Sequence, residues 1–125
     1  MPGITLDAGA LIAIERASPK MQALLDEATL ANLGVNIPAG VLAQVWRGSP
    51  RQARLSRLLR LVNVAVAPLD EPNAKAAGAL CARTQTKDPI DASVVLIARR
   101  FDNAVITGDP TDLRRIDPTL RIISI

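Results

Sequence analysis

The tetrapeptide Asp-Pro-x-Asp occurs twice near the C-terminal end of the chain, as Asp88-Pro89-Ile90-Asp91 and as Asp109-Pro110-Thr111-Asp112. Alone, each copy reads as a helix start. The first Asp accepts hydrogen bonds from free backbone N–H groups, Pro fits the first helical position, and the second Asp lies near the positive end of the helix dipole. A further carboxylate, Asp7, changes the chemistry available. It follows the short alternating run Ile4-Thr5-Leu6, as Asp109 follows the apolar run Ala104 to Thr107 after a single Gly108. If both runs are parallel strands of one sheet, their acids share its carboxyl edge, where such sheets bind ligands. Asp91, at the third position of its helix, can point to that edge, with Asp88 one turn earlier. Two carboxylates ~4 Å apart repel by about 4 kcal/mol even at an effective dielectric of 20, so the gathering calls for a cation. The chain has no His and one Cys. That leaves an all-oxygen ligand set, which favours Mg²⁺ or Mn²⁺ over Zn²⁺. Water activated by such an ion is a nucleophile for phosphodiester cleavage.

The elements that must position these acids are legible from apolar spacing. Strands are expected at 4–6, 35–37, 64–66, 104–107 and 121–125. Helices are expected after Asp7, from Ser18-Pro19 to an end at Gly34, over Ala39 to Arg47, over Arg51 to Val62, from Asp70, from Pro89 to about Arg100, and from Asp109 to Ile116. Leu55, Leu58, Leu59 and Val62 mark the buried side of the fourth helix. The alternation predicts an α/β fold with a largely parallel sheet and helices on both faces, contained in one domain over residues 1–125. A receiver-type phosphoacceptor domain has similar length and layering. It would need paired acids after the first strand and an acceptor Asp after the middle one, whereas Asp7 stands alone and Ala67-Pro68 follows the third strand.

Composition narrows the classes further. The 125 residues are 49% hydrophobic but only 2% aromatic, so Ala, Leu, Val and Ile must build the core. The lone Cys81 cannot form an internal disulfide, which fits a cytoplasmic protein. No apolar stretch approaches the roughly 20 residues of a membrane span, and no signal peptide is evident. A net charge of +3 suggests a polyanionic partner only if the base is clustered. Arg51, Arg54, Arg57 and Arg60 recur at three-residue intervals and can form either an RNA-tracking stripe or a solvated helix face. Trp46 can stack on a base or anchor a core or interface.

Ile4-Thr5-Leu6-Asp7-Ala8, Ile37 to Arg47, Pro89-Ile90-Asp91-Ala92 and Val105 to Leu113 together resemble the PIN domain, in particular the VapC-like toxins of bacterial toxin–antitoxin pairs. The similarity spans nearly the whole chain, in order and spacing. The resemblance implies a three-layer α/β/α sandwich with a mostly parallel central sheet, and a Mg²⁺- or Mn²⁺-dependent ribonuclease. It also implies products with 5′-phosphate and 3′-hydroxyl ends, a cognate antitoxin and a homodimer. Asp7, Asp91 and Asp109 match the family's catalytic and metal-binding acids, and Asp112 a further acid often found near the site. One position departs: Gln44 stands where such toxins usually carry Glu. Asp7, Asp91 and Asp109 carry −3, and adding Asp88 makes −4, enough to balance two divalent ions. Asp88 is therefore either a compensating ligand or only a helix cap. The competing expectation is a PIN-like domain that has lost catalysis through Gln44 and serves as an RNA- or protein-binding module.

Overall fold

A computed structural model of the chain describes residues 3–125. Five short strands rich in Val and Ile, β1 (Ile4–Leu6), β2 (Val35–Pro38), β3 (Val64–Ala67), β4 (Ala104–Thr107) and β5 (Ile122–Ser124), pair in parallel in the order β3-β2-β1-β4-β5. Between them run α1 (Ala8–Glu15), α2 (Pro19–Leu30), α3 (Ala39–Val45), α4 (Ala53–Leu59), α5 (Glu71–Thr84), α6 (Pro89–Phe101) and α7 (Pro110–Ile116). The chain builds outward from β1 to β3, then returns across the sheet to β4 and continues to β5. Right-handed crossovers therefore put the first group of helices on one face and the second group on the other. Accordingly α1, α2 and α4 meet around Ile14, Leu25 and Leu58, and α5, α6 and α7 pack against one another. The expected three-layer α/β/α architecture is the one observed, and strand order reverses between β1 and β4.

The core lies on both faces of the central strands. Leu6, Leu11, Met21, Ile37, Leu55, Ile106 and Leu113 are fully buried, each contributing about 1.5–3 kcal/mol by leaving water. Among the described residues no helix is long and apolar enough to cross a membrane.

Helix ends depart from the expectation at three places. Helix α2 stops at Leu30, and Asn32, not Gly34, takes the left-handed conformation with φ 56°, while Leu33 N donates to Ala28 O at 2.8 Å. That closure satisfies the last carbonyls before Gly34 is reached. Helix α3 ends at Val45 and not Arg47, because the buried side chain of Gln52 captures the following backbone: its Oε1 accepts from Arg47 N at 2.8 Å and Gly48 N at 3.1 Å. Trp46 is left 40% exposed, outside the core. The expected helix over 51–62 is a 3₁₀ turn, Pro50–Gln52, followed by the short α4. Leu55 and Leu58 are buried as expected, but the helix is over before Val62, which is fully exposed.

Candidate functional site

The reversal of strand order puts the carboxyl ends of β1 and β4 side by side, with Leu6 in register with Ile106, and each strand delivers an acid to the edge. Asp7 is the N-cap of α1, its Oδ1 accepting from Ala10 N at 3.1 Å. Its Oδ2 accepts from the Thr107 hydroxyl, whose oxygen in turn accepts from Asp109 N at 2.8 Å. Thr107, itself fully buried, thus ties the two acids across the strand pair. The loop after β4 reaches this position because Gly9 and Gly108 touch without side chains. A Cβ on Gly9 would stand 3.0 Å from Gly108 N.

The two Asp-Pro-x-Asp copies are used differently. Asp88 is a true cap: its Oδ1 accepts from Ile90 N at 2.9 Å and Asp91 N at 3.2 Å. Asp109 occupies the same position before α7 but makes no side-chain capping bond. Its carboxylate instead meets Asp112, and a hydrogen bond between the two raises the Asp112 carboxyl above its ordinary value. Asp91, in the first turn of α6, is the electrostatic centre. Burial, then Asp88, Asp112, Asp7 and Asp109 in turn, push its carboxyl up to about 6. Asp7 is also raised, chiefly by burial and slightly by Asp109, against the pull of Thr107 and the backbone of α1. Asp88, Asp91 and Asp112 line an open cleft of about 340 Å³ that also presents Lys87 and Arg115.

All five acids named from the sequence therefore come to one edge. They do not close on a single point: among the described residues no three of them stand together as a ready-made metal cage. The cause is visible in their hydrogen bonds, since Asp7 has both oxygens engaged and Asp88 serves the helix start. The donor chemistry nevertheless fits a hard divalent cation. Five carboxylates share an edge, two of them half-buried, with Asp91 raised for want of opposing charge.

Gln44 is exposed on α3, one helical turn beyond Gly40 and on the same side. Gly40 faces the start of α6, where a Cβ would stand 2.4 Å from Ile90 Cδ1. The arginines do not form one stripe. Arg51 lies on the 3₁₀ turn, and Arg54 and Arg57 border a groove with Gln22, Asp26 and Thr29 of α2. Arg60 caps α4 as it runs back toward the start of β3, away from the carboxylate edge. Sequence reasoning passed over Thr107, Lys87 and Arg115. For Thr107 the available signal was a polar side chain ending an otherwise apolar strand, directly before Gly108-Asp109.

A family model described as PIN domain matches residues 4–117. Among curated proteins none matches the chain. Solved structures with the same fold include VapBC2 from Rickettsia felis bound to a DNA fragment from their promoter, with TM-score 0.72, 16% identity and 98% of each chain covered. DNA-bound VapBC from Salmonella typhimurium gives TM-score 0.70 and 19% identity, covering 99% of this chain and 98% of that one. FitAcB from Neisseria gonorrhoeae gives 0.62 and 18%, covering 97% and 96%.

Proposed function

Because the chain belongs to the PIN-domain family, we propose that it is a metal-dependent endoribonuclease acting as the toxin of a toxin–antitoxin pair. The observation that carries the reading is the convergence of Asp7, Asp91 and Asp109 at the strand-order reversal, with Asp91 raised to about 6 by burial and four neighbouring acids. Such a group of carboxylates is stable at neutral pH only with positive charge among them. Asp7, Asp91 and Asp109 would hold Mg²⁺ or Mn²⁺, with Asp112 and Asp88 as further candidates. When bound, the cation lowers the pKa of the attacking water and offsets charge developing on the phosphate. The chain's own part is orientation. Thr107 fixes the Asp7 carboxylate and the Asp109 backbone, Asp88 sets the start of α6 that presents Asp91, and Lys87 and Arg115 offer positive charge to an RNA backbone beside the acids. Water adds to phosphorus as the P–O3′ bond breaks, leaving 5′-phosphate and 3′-hydroxyl ends. Arg51, Arg54 and Arg57 are at most peripheral RNA contacts.

The remaining parts of the reading are a cognate antitoxin, a homodimer and a cytoplasmic location. The antitoxin is supported by the fold shared with the VapBC and FitAcB complexes. Structured RNA incubated with the purified protein should be cut with Mg²⁺ or Mn²⁺, and EDTA or Asp7→Asn should abolish cutting. Cleavage that survives both would be contamination.

The uncharged, exposed Gln44 favours a second reading, a PIN domain with weakened catalysis that binds RNA or protein. RNA binding without cleavage under any divalent metal would establish it. Tighter metal binding by Gln44→Glu would place residue 44 beside the ion. Weaker binding by Asp88→Asn would make Asp88 a ligand as well as a cap; unchanged binding leaves it a cap.

A further inference from the structure

Strand β3 ends the sheet, and its outer side is open. Val35 N donates to Asn63 O at 2.8 Å, and Val35 pairs with Val64, Asn36 with Ala65 and Ile37 with Val66. In a parallel ladder this alternation turns the backbone groups of Asn63, Ala65 and Ala67 toward β2 and those of Val64 and Val66 outward. Val64 N is used within the preceding turn, donating to Leu61 O at 3.1 Å. The Val64 carbonyl and both backbone groups of Val66 face outward without a partner among the described residues. Exposed edges are normally blunted by charge, a bulge or a covering element. Here the stretch from Leu61 to Leu69 carries no charged residue. Leu61, Val62, Val66 and Leu69, half of the large apolar side chains exposed on the described surface, lie within it. A patch of this kind beside free backbone groups marks an interface.

We propose that this edge docks a second copy of the same chain, β3 against β3 in antiparallel orientation, to form a continuous ten-stranded sheet. Two features of the page select a second copy over another partner. The hydrogen-bonding pattern is self-complementary: with the two-fold axis at Ala65, Val64 of one copy stands opposite Val66 of the other. Each Val66 N–H then meets a Val64 carbonyl. The flanking charge is also self-complementary. Arg57 and Arg60 precede the apolar stretch, and Asp70 and Glu71 follow it. Antiparallel docking brings the basic end of each copy to the acidic end of the other. Arg60 is exposed and forms no ion pair among the described residues. The carboxylate clusters stay open, at opposite ends of the joined sheet. This inference rests on the homodimer named above and is independent of RNA cleavage.

The test is sedimentation of the whole purified chain over a concentration series. Wild type should form a dimer. Arg60→Glu alone and Asp70→Lys alone each set like charges against each other twice in the dimer, and each should weaken association by about tenfold or more. Mixing the two variants makes both contacts complementary again and should restore the dimer. Val66→Pro removes the outward N–H without touching the β2 ladder, a position where edge strands tolerate Pro, and should give a folded monomer by circular dichroism. A wild type that stays monomeric would overturn the dimer and this surface together. A dimer unaffected by Val66→Pro and by both charge variants would keep the dimer and overturn the surface.

Discussion

Burial and four neighbouring carboxylates act on Asp91 in the same direction, and the resulting pKa of about 6 makes a prediction with a definite sign. An acid whose folded pKa is raised costs the folded state nothing while it is protonated in both states, and the full penalty once it is ionised in both. The stability of the metal-free protein should therefore fall as pH rises from the ordinary Asp value of 3.8 to about 6. After discounting for the exposed part of the side chain, the loss is about 1 kcal/mol. Urea unfolding of wild type and Asp91→Asn across that range checks it: the variant should lose this component of the slope, and unchanged slopes would mean that Asp91 titrates normally. Thr107 makes a second residue-level case. Thr107→Val removes the hydroxyl that ties Asp7 to the backbone of Asp109, and should cost about 1–2 kcal/mol in unfolding. It should also reduce cleavage strongly, whereas Thr107→Ser should restore both. Neither effect was legible from residue types. The acids could be named from the sequence, but which hydroxyl organises them depends on two strands being adjacent.

At the scale of elements, the two Asp-Pro-x-Asp starts look equivalent in sequence and differ in their bonds. Asp88 closes two backbone N–H groups of α6, and Asp109 closes none in α7. Asp88→Ala should therefore destabilise the protein by about 1 kcal/mol, while Asp109→Ala should leave unfolding nearly unchanged, both read from urea midpoints without metal. Equal losses would mean that Asp109 is also a cap. The reason for the divergence lies outside either tetrapeptide. Gly108 and Gly9 bring the β4–α7 loop against α1, and Thr107 takes the Asp109 N–H. The strands and helix starts were legible because Asp, Ser and Pro punctuate this chain clearly. The ends of α2, α3 and α4 were not, because each is set by a contact that spacing does not encode. The closest such case is Gln52, whose buried amide halts α3 by capturing Arg47 and Gly48.

Across the whole molecule, strand order turns separate acids into one site. Composition and alternation foretell a parallel α/β sheet, and two acids after two strands foretell an edge. That β1 and β4 are neighbours follows from the chain returning across the sheet after β3. The same topology leaves β3 as a bare edge with uncharged flanks, and the Arg series that looked like one stripe is divided between a turn, a groove and a helix end. The central claim is that the carboxylates at the β1–β4 edge form a metal-dependent ribonuclease site. It is tested most directly by cleavage of structured RNA in Mn²⁺ by wild type, Asp7→Asn, Asp91→Asn and Asp109→Asn, each checked for folding. Wild type should produce fragments with 5′-phosphate and 3′-hydroxyl ends, and each variant should lose at least about a hundredfold in rate. Full-rate cleavage by the folded Asp109→Asn protein, or none by wild type with any divalent metal, would contradict it.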